Sequence, residues 1–538
     1  SHFALRRPLP GPPWPAAGTS RHSPLATATR TSPAAMSAGG GPEDGAAGFS
    51  PLSLEVPQDP DALGFLIRAL YTAYSPEEVD SLDEILSEYS GREQDLLAAF
   101  WSKHVTEATR ASPSSVGPSA VSELGAASSS QPPGTDSGQD LSPEPAATGG
   151  AAASVAWPER FRGCILLAAV GDAMGYKKGD WEFCLSSSKI YADLDRLTNG
   201  KGVLALDLTN WMVSDDTVMH LAAAEGLAVA AERHGNWARL DKVMPLVGAA
   251  TKKCGQDFTG RAPGKSEQQG LKLLAADGSN WQAKPFDSRA VGCGAAMRAM
   301  AVGLCFPVLE DLVQYSVEIA RVSKTHPTGY LGAVVAALFT RYALDSRPVV
   351  TWGRSFLEEA LPAVKAYVLG PGGRHIEENR TAFEAGAFEN KWCWYLHERD
   401  IASAIEGHVP RYPADYGKFG VRDAFYAEIA KLPGMNPIGK NPGSKGYDAV
   451  LIAYDALLWV EAGAGAPTDP SAKWDQLCQR AVLHRGDNDS TGSIAAAWYG
   501  ALHGLQGVPK RHYEGIEYKG RCESVARSLC RFCSGAGH

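Results

Sequence analysis

Basic charge is scarce: 51 Lys and Arg stand against 60 Asp and Glu in 538 residues, a formal net charge of -9. A chain with that balance lacks the electrostatic footprint of a nucleic-acid binder, so no nucleic-acid partner is expected and an anionic ligand needs a local site. Ten cysteines, running from Cys164 to Cys533, are too sparse for a disulfide scaffold and suit a reducing compartment, so the expected setting is cytoplasmic. Long apolar runs are missing as well. The best candidate, residues 291–309, carries Arg298 and is rich in Gly and Ala, so no membrane partner is expected. Neither G-x-S-x-G nor H-E-x-x-H occurs, which removes the common serine-hydrolase and zincin signatures.

Local absences divide the chain. Residues 1–42 hold Arg6, Arg7, Arg21 and Arg30 but no Asp or Glu, the composition of an organelle transit peptide and the basis of an organellar alternative. The first Met is Met36, so the same stretch reads equally well as leader sequence. Residues 1–50 are too poor in apolar side chains to offset ordering entropy and are expected to be disordered. Residues 111–156 contain no aromatic side chain and have the Ser/Ala/Gly/Pro texture of a flexible linker. Between them, Ser75-Pro76-Glu77-Glu78 combines an N-cap, a first-turn Pro and a capping-box Glu. It opens a helical pattern within a small module over 57–108, a candidate docking unit for a protein partner. After Trp157 the texture changes. Apolar, Ala-rich segments with helical spacing recur at 161–174, 218–231, 312–322, 330–344, 449–460 and 494–505, so residues 157–538 read as one large all-α domain.

Two acidic stretches each lead straight into such a segment: Ser214-Asp215-Asp216-Thr217, and Gly486-Asp487-Asn488-Asp489-Ser490-Thr491. Each alone is explained by helix capping and the helix dipole. An EF-hand starting at Asp487 fails because Trp498 occupies the twelfth position, where a bidentate Glu is required. Taken together, the two stretches supply the hard oxygen ligands that suit Mg²⁺, Ca²⁺ or Mn²⁺. If the carboxylates converge, each close like-charge pair costs up to ~4 kcal/mol at an effective dielectric near 20. A helix terminus returns only ~0.3–1 kcal/mol per charge. Convergence would therefore demand cations.

Three weaker segments remain. Gly292-Cys293-Gly294 is a glycine turn entering a helix, open to phosphate binding or to close helix packing. His326-Pro327-Thr328 opens another helix, and residues 439–446 form a Gly/Lys/Asn loop that does not match a P-loop.

In chain order, Gly171-Asp172-Ala173-Met174-Gly175, Ser214-Asp215-Asp216-Thr217, Gly292-Cys293-Gly294-Ala295-Ala296-Met297-Arg298, Pro327-Thr328-Gly329-Tyr330-Leu331-Gly332 and Gly486-Asp487-Asn488-Asp489-Ser490-Thr491 resemble the motifs of ADP-ribosylglycohydrolases. Trp181-Glu182-Phe183, Gly260-Arg261-Ala262-Pro263-Gly264 and Ile452-Ala453-Tyr454-Asp455-Ala456 are similar to the ADP-ribosylarginine hydrolase branch. The resemblance spans nearly all of 157–538 and leaves 1–156 without a counterpart.

The resemblance implies a large orthogonal all-α domain with two Mg²⁺ ions held by Ser214, Asp215, Asp216, Asp487, Asp489 and Ser490. It implies Asp215 or Asp216 as base and Glu182 on an acidic segment near the scissile bond. It further implies that Val291, Gly292, Cys293 and Gly294 contact ADP-ribose and that Tyr454 lies on the adenosine side. Where the family carries a Thr-His pair, this chain has Ser323 and Lys324, leaving His326 to compensate or Lys324 to meet a phosphate as a point charge. The implied activity is hydrolysis of the N-glycosidic bond of ADP-ribosylated arginine in proteins, with ADP-ribose as product. The alternatives are an ADP-ribosylserine or O-acetyl-ADP-ribose hydrolase of the same family, or an inactive ADP-ribose-binding protein.

Overall fold

The computed structural model describes residues 155–235, 239–431 and 441–533. The expectations for 1–50, for the 57–108 module and for the linker lie outside those residues, except for the linker's last two positions. Helices and turns make up the described chain, and its one β-type pairing is an isolated antiparallel bridge between Gly292 and Lys445. No helix among the described residues is long and apolar enough to cross a membrane.

Eight helices position the site and are numbered in chain order: α1 Trp157–Tyr176, α2 Asp215–His234, α3 Leu240–Cys254, α4 Lys265–Leu273, α5 Pro327–Leu344, α6 Gly446–Ala462, α7 Asn488–His503 and α8 Lys519–Cys533. All six segments read as helical in the sequence are helices, and each begins earlier than its apolar pattern. The apolar pattern of 330–344, for instance, begins in space at Pro327, behind the N-cap His326. Every residue of α5 is buried, as are the residues of α1 from Gly163 to Tyr176 and of α7 from Asn488 to Ala501. Helices that are apolar on all sides belong in the middle of a domain, and these three form its centre.

α1 and α7 touch backbone to backbone. A Cβ on Gly171 would lie 2.2 Å from the Gly492 carbonyl oxygen, and one on Gly175 would lie 2.5 Å from the Asp489 nitrogen and Cα. Only glycine fits at either point. This seam sets Asp172 of α1 and Asp489 of α7 on the same end of the central pair.

The tyrosine assigned to adenosine belongs to the core instead. Tyr454 is fully buried, donates its hydroxyl to the Val349 carbonyl at 2.8 Å, and packs among Phe339, Trp352, Trp392 and Tyr395. Its neighbour Asp455, also fully buried, accepts from Arg399 at 2.6 Å and from the Tyr395 and Tyr416 hydroxyls. The segment 452–456 is thus a packing and ion-pair motif. An aromatic core with one buried, fully bonded charge pair accounts for it without a ligand.

Candidate active site

At the start of α2 the amides that a helix leaves unpaired are all spoken for. Ser214 is the N-cap and accepts from the Asp216 amide at 3.1 Å. Asp172, reaching over from α1, accepts from the Ser214 amide at 3.1 Å, from the Thr217 amide at 3.0 Å and from the Thr217 hydroxyl. The Asp215 and Asp216 carboxylates are therefore surplus to capping. Both are buried. Burial pushes the Asp215 carboxyl well above its usual range, reinforced by Glu267 and Asp172. Asp216 moves the same way through burial, Asp172 and Asp215.

The start of α7 is built differently. Its N-cap Asp487 makes no side-chain cap. Its amide donates to the Pro442 carbonyl at 2.9 Å, and its carboxylate is 3.3 Å from the Cys293 thiol. The Asn488 side chain turns inward to the Val482 carbonyl at 2.8 Å and so leaves the site. Ser490 donates its hydroxyl to the Asp216 carboxylate at 2.8 Å, which joins the two acidic helix starts directly.

Glu182 completes the arrangement. Carboxylate oxygens of Glu182, Asp487 and Asp489 lie within 4.8 Å of one another. Burial, followed by Asp487, Asp215 and Asp172, raises the Glu182 carboxyl to about 9. Asp489 is raised by burial and then by Glu182 and Asp216. Among the described residues, none of Glu182, Asp215, Asp216, Asp487 and Asp489 is in a salt bridge with a basic side chain. Hard oxygen donors packed together without an ion-pair partner are the donor set a divalent cation fits.

Four loops interlock around this point. The Phe183 amide donates to Gly486 at 2.7 Å, and the Asp487 amide to Pro442 at 2.9 Å. The Gly446 amide donates to Val291 at 2.9 Å, and the Cys293 amide to Ser444 at 3.2 Å. Cys293 thus borders the acidic centre and is also 3.5 Å from the Ser490 hydroxyl, with Val291 and Gly292 just before it in the chain. Gly294 is buried against Glu267, where a Cβ would fall 2.2 Å from a carboxylate oxygen, so its absence of a side chain serves packing.

Lys324 and His326 are both tied into the fold. Lys324 is 2.9 Å from the Glu267 carboxylate, within a buried group that includes Arg298 and Ser323, so it shares that one carboxylate with a second cation. Glu267 accordingly stays below its usual range: burial opposes ionisation, but Lys324 and Arg298 outweigh it. His326 is the N-cap of α5, with Nδ1 accepting from the Thr328 amide at 3.1 Å, and burial lowers it to about 4. The cap commits Nδ1 of a neutral imidazole to the fold.

Asp172, Glu267 and Arg261 carry weight that motif reading missed. Arg261 donates to the Val213 carbonyl at 2.6 Å and to both Glu517 oxygens, while its own carbonyl accepts from the Asp215 amide at 3.4 Å. The signal for Asp172 was its place between two glycines in Gly171-Asp172-Ala173-Met174-Gly175, a carboxylate in an otherwise apolar helix.

An all-helical domain that brings two acidic helix starts and a glutamate turn to one point defines a carboxylate-based hydrolase centre. Residues 153–537 match the sequence model of the ADP-ribosylglycohydrolase family. The chain belongs to that family and is a glycosyl hydrolase. It is similar to ADP-ribosylhydrolase ARH1 of Dictyostelium discoideum, 35% identical over 391 residues that cover 69% of this chain and 93% of the relative. It is also similar to ADP-ribosylhydrolase ARH3 of Xenopus tropicalis, 23% identical over 228 residues, 42% of this chain and 55% of the relative.

Proposed function

We propose that the protein hydrolyses the N-glycosidic bond between ADP-ribose and an arginine side chain in modified proteins, with Mg²⁺ as cofactor. The 2.8 Å bond from Ser490 to Asp216 carries this reading, because it makes the two acidic helix starts one centre. The Trp181-Glu182-Phe183 and Gly260–Gly264 motifs support the arginine branch. Ser214, Asp215, Asp216, Asp487, Asp489 and Ser490 would hold two ions, and Mg²⁺ there supplies electrostatic stabilisation and orientation of the ribose hydroxyls.

The chain's own groups do the rest. Asp215 or Asp216 takes the proton from the attacking water. Glu182, together with the other carboxylates, offsets the positive charge that grows on the ribose as the bond to the guanidinium lengthens. Val291, Gly292 and Cys293, held by the 444–446 loop, line the approach for the rest of ADP-ribose.

The test is the double variant Asp215→Asn with Asp216→Asn, assayed for release of ADP-ribose from arginine-modified protein with and without Mg²⁺. Turnover is expected to fall by about 10³-fold or more. Turnover equal to that of the unaltered protein overturns the proposal.

A further inference from the structure

Large apolar side chains seldom stand exposed in this domain, yet two of them follow closely after Glu182. Phe183 is 41% exposed and Leu185 is 64% exposed, within three residues of Glu182. Phe183 also has a φ of +55°, a left-handed backbone conformation that glycine takes freely and a bulky side chain resists. The neighbours impose it. Trp181 is buried, donates its indole N–H to Asp193 at 2.9 Å and meets the Trp211 ring edge-on at 6.0 Å. The Cys184 amide returns to the Trp181 carbonyl at 3.0 Å, and the Phe183 amide is drawn to Gly486 at 2.7 Å.

The fold therefore uses the Phe183 backbone and makes little use of its ring, which stacks on no other aromatic ring among the described residues. A glycine would satisfy the same turn with less strain. An exposed benzyl group held in a strained turn directly after Glu182 needs a reason outside the fold.

Chemistry supplies one. An exposed aromatic ring on the residue that follows Glu182 suits a planar, weakly hydrated cation, and the guanidinium is the side-chain group with those properties. Lys177, the nearby cation on the same turn, is already held at 2.8 Å by both Asp180 and Asp193, so it does not occupy that place. We propose that Phe183 is the specificity residue for the arginine linkage, its ring covering the guanidinium of the leaving arginine beside Glu182. This rests on the arginine reading above. A serine-linked substrate presents no cation to the ring and gains nothing from it.

Three variants separate the possibilities: Phe183→Gly removes ring and strain, Phe183→Leu keeps apolar bulk without the π face, and Phe183→Tyr keeps the face. The measurements are kcat/KM on arginine-linked substrate, inhibition by agmatine as a guanidinium probe, and ADP-ribose binding by calorimetry. Phe183→Gly and Phe183→Leu are expected to lose about tenfold in kcat/KM, with agmatine inhibition weakened in step, while Phe183→Tyr stays close to the unaltered protein. ADP-ribose affinity is expected to hold in all three, showing that the loss lies on the arginine side. Undiminished kcat/KM in Phe183→Gly, full activity in Phe183→Leu, or a matching loss of ADP-ribose affinity overturns the inference alone. An unaltered protein inert toward arginine-linked substrate sinks the arginine reading and this inference with it.

Discussion

At the start of α2, Ser214 and Asp172 take up the free amides, while at the start of α7 the N-cap Asp487 makes no cap at all. The two stretches look interchangeable as sequence, each an acidic run before an Ala-rich helix. One is clamped from outside by a carboxylate of another helix, and the other is pinned by its backbone to the 442 loop. At the start of α2 the acidic side chains are released from capping, while at the start of α7 Asp489 also accepts the Ser490 amide at 2.9 Å. At α2 the helix N-terminus is free to serve as a reactive centre because its own hydrogen-bonding needs are met by groups other than Asp215 and Asp216.

Breaking the external clamp gives the largest effect. Asp172→Ala leaves two buried amides and a hydroxyl at the head of α2 without their acceptor, and is expected to lower stability by about 3–4 kcal/mol in chemical denaturation. A loss below about 1 kcal/mol would mean that the start of α2 is satisfied from elsewhere.

Cation removal tests the convergence itself. Glu182 has its carboxyl raised from 4.5 to about 9 in the folded protein, through burial and then Asp487, Asp215 and Asp172. A raised acid contributes stability that is complete below the unfolded value and lost as the pH climbs through the folded one. The metal-stripped protein should therefore melt progressively lower as the pH rises from about 4.5 to about 9. Mg²⁺ at about 100 times its dissociation constant should return about 2.7 kcal/mol on the alkaline side. A stripped protein whose melting temperature rises across that window contradicts the geometry.

The smallest effect is expected from the cap alone. Ser214→Ala removes one acceptor while Asp172 keeps the Ser214 and Thr217 amides, so the loss should sit near the low end for caps, about 0.5–1 kcal/mol. A much larger loss would make Ser214, and not Asp172, the main clamp of this helix start.

Most of the helical order was legible before any coordinates, because apolar spacing and Pro or Ser starts are local signals. The acidic pair was legible as well, since residue type and the helix that follows it are both local. Tyr454 was misread because a motif shared within a family does not say whether it is shared for packing or for binding. Its hydroxyl and ring are consumed by Val349 and by the aromatic core. The ion pair of Lys324 was not legible because Glu267, its partner, lies 57 residues away along the chain. Asp172 was visible as part of a motif, but its task was not, since the amides it serves begin 42 residues later.

The amino-acid order alone determined an all-α catalytic domain, its principal helices, and which residues are chemically able to hold a cation, because spacing and side-chain type act over a few residues. The tertiary structure decided that Gly171 and Gly175 let α1 and α7 meet, and that Ser490 reaches Asp216 across 274 residues of chain. It also decided that Glu182 is drawn to Asp487 and Asp489 through the turn at Phe183. Contacts of that span depend on how distant segments pack, and no local pattern in the sequence records them.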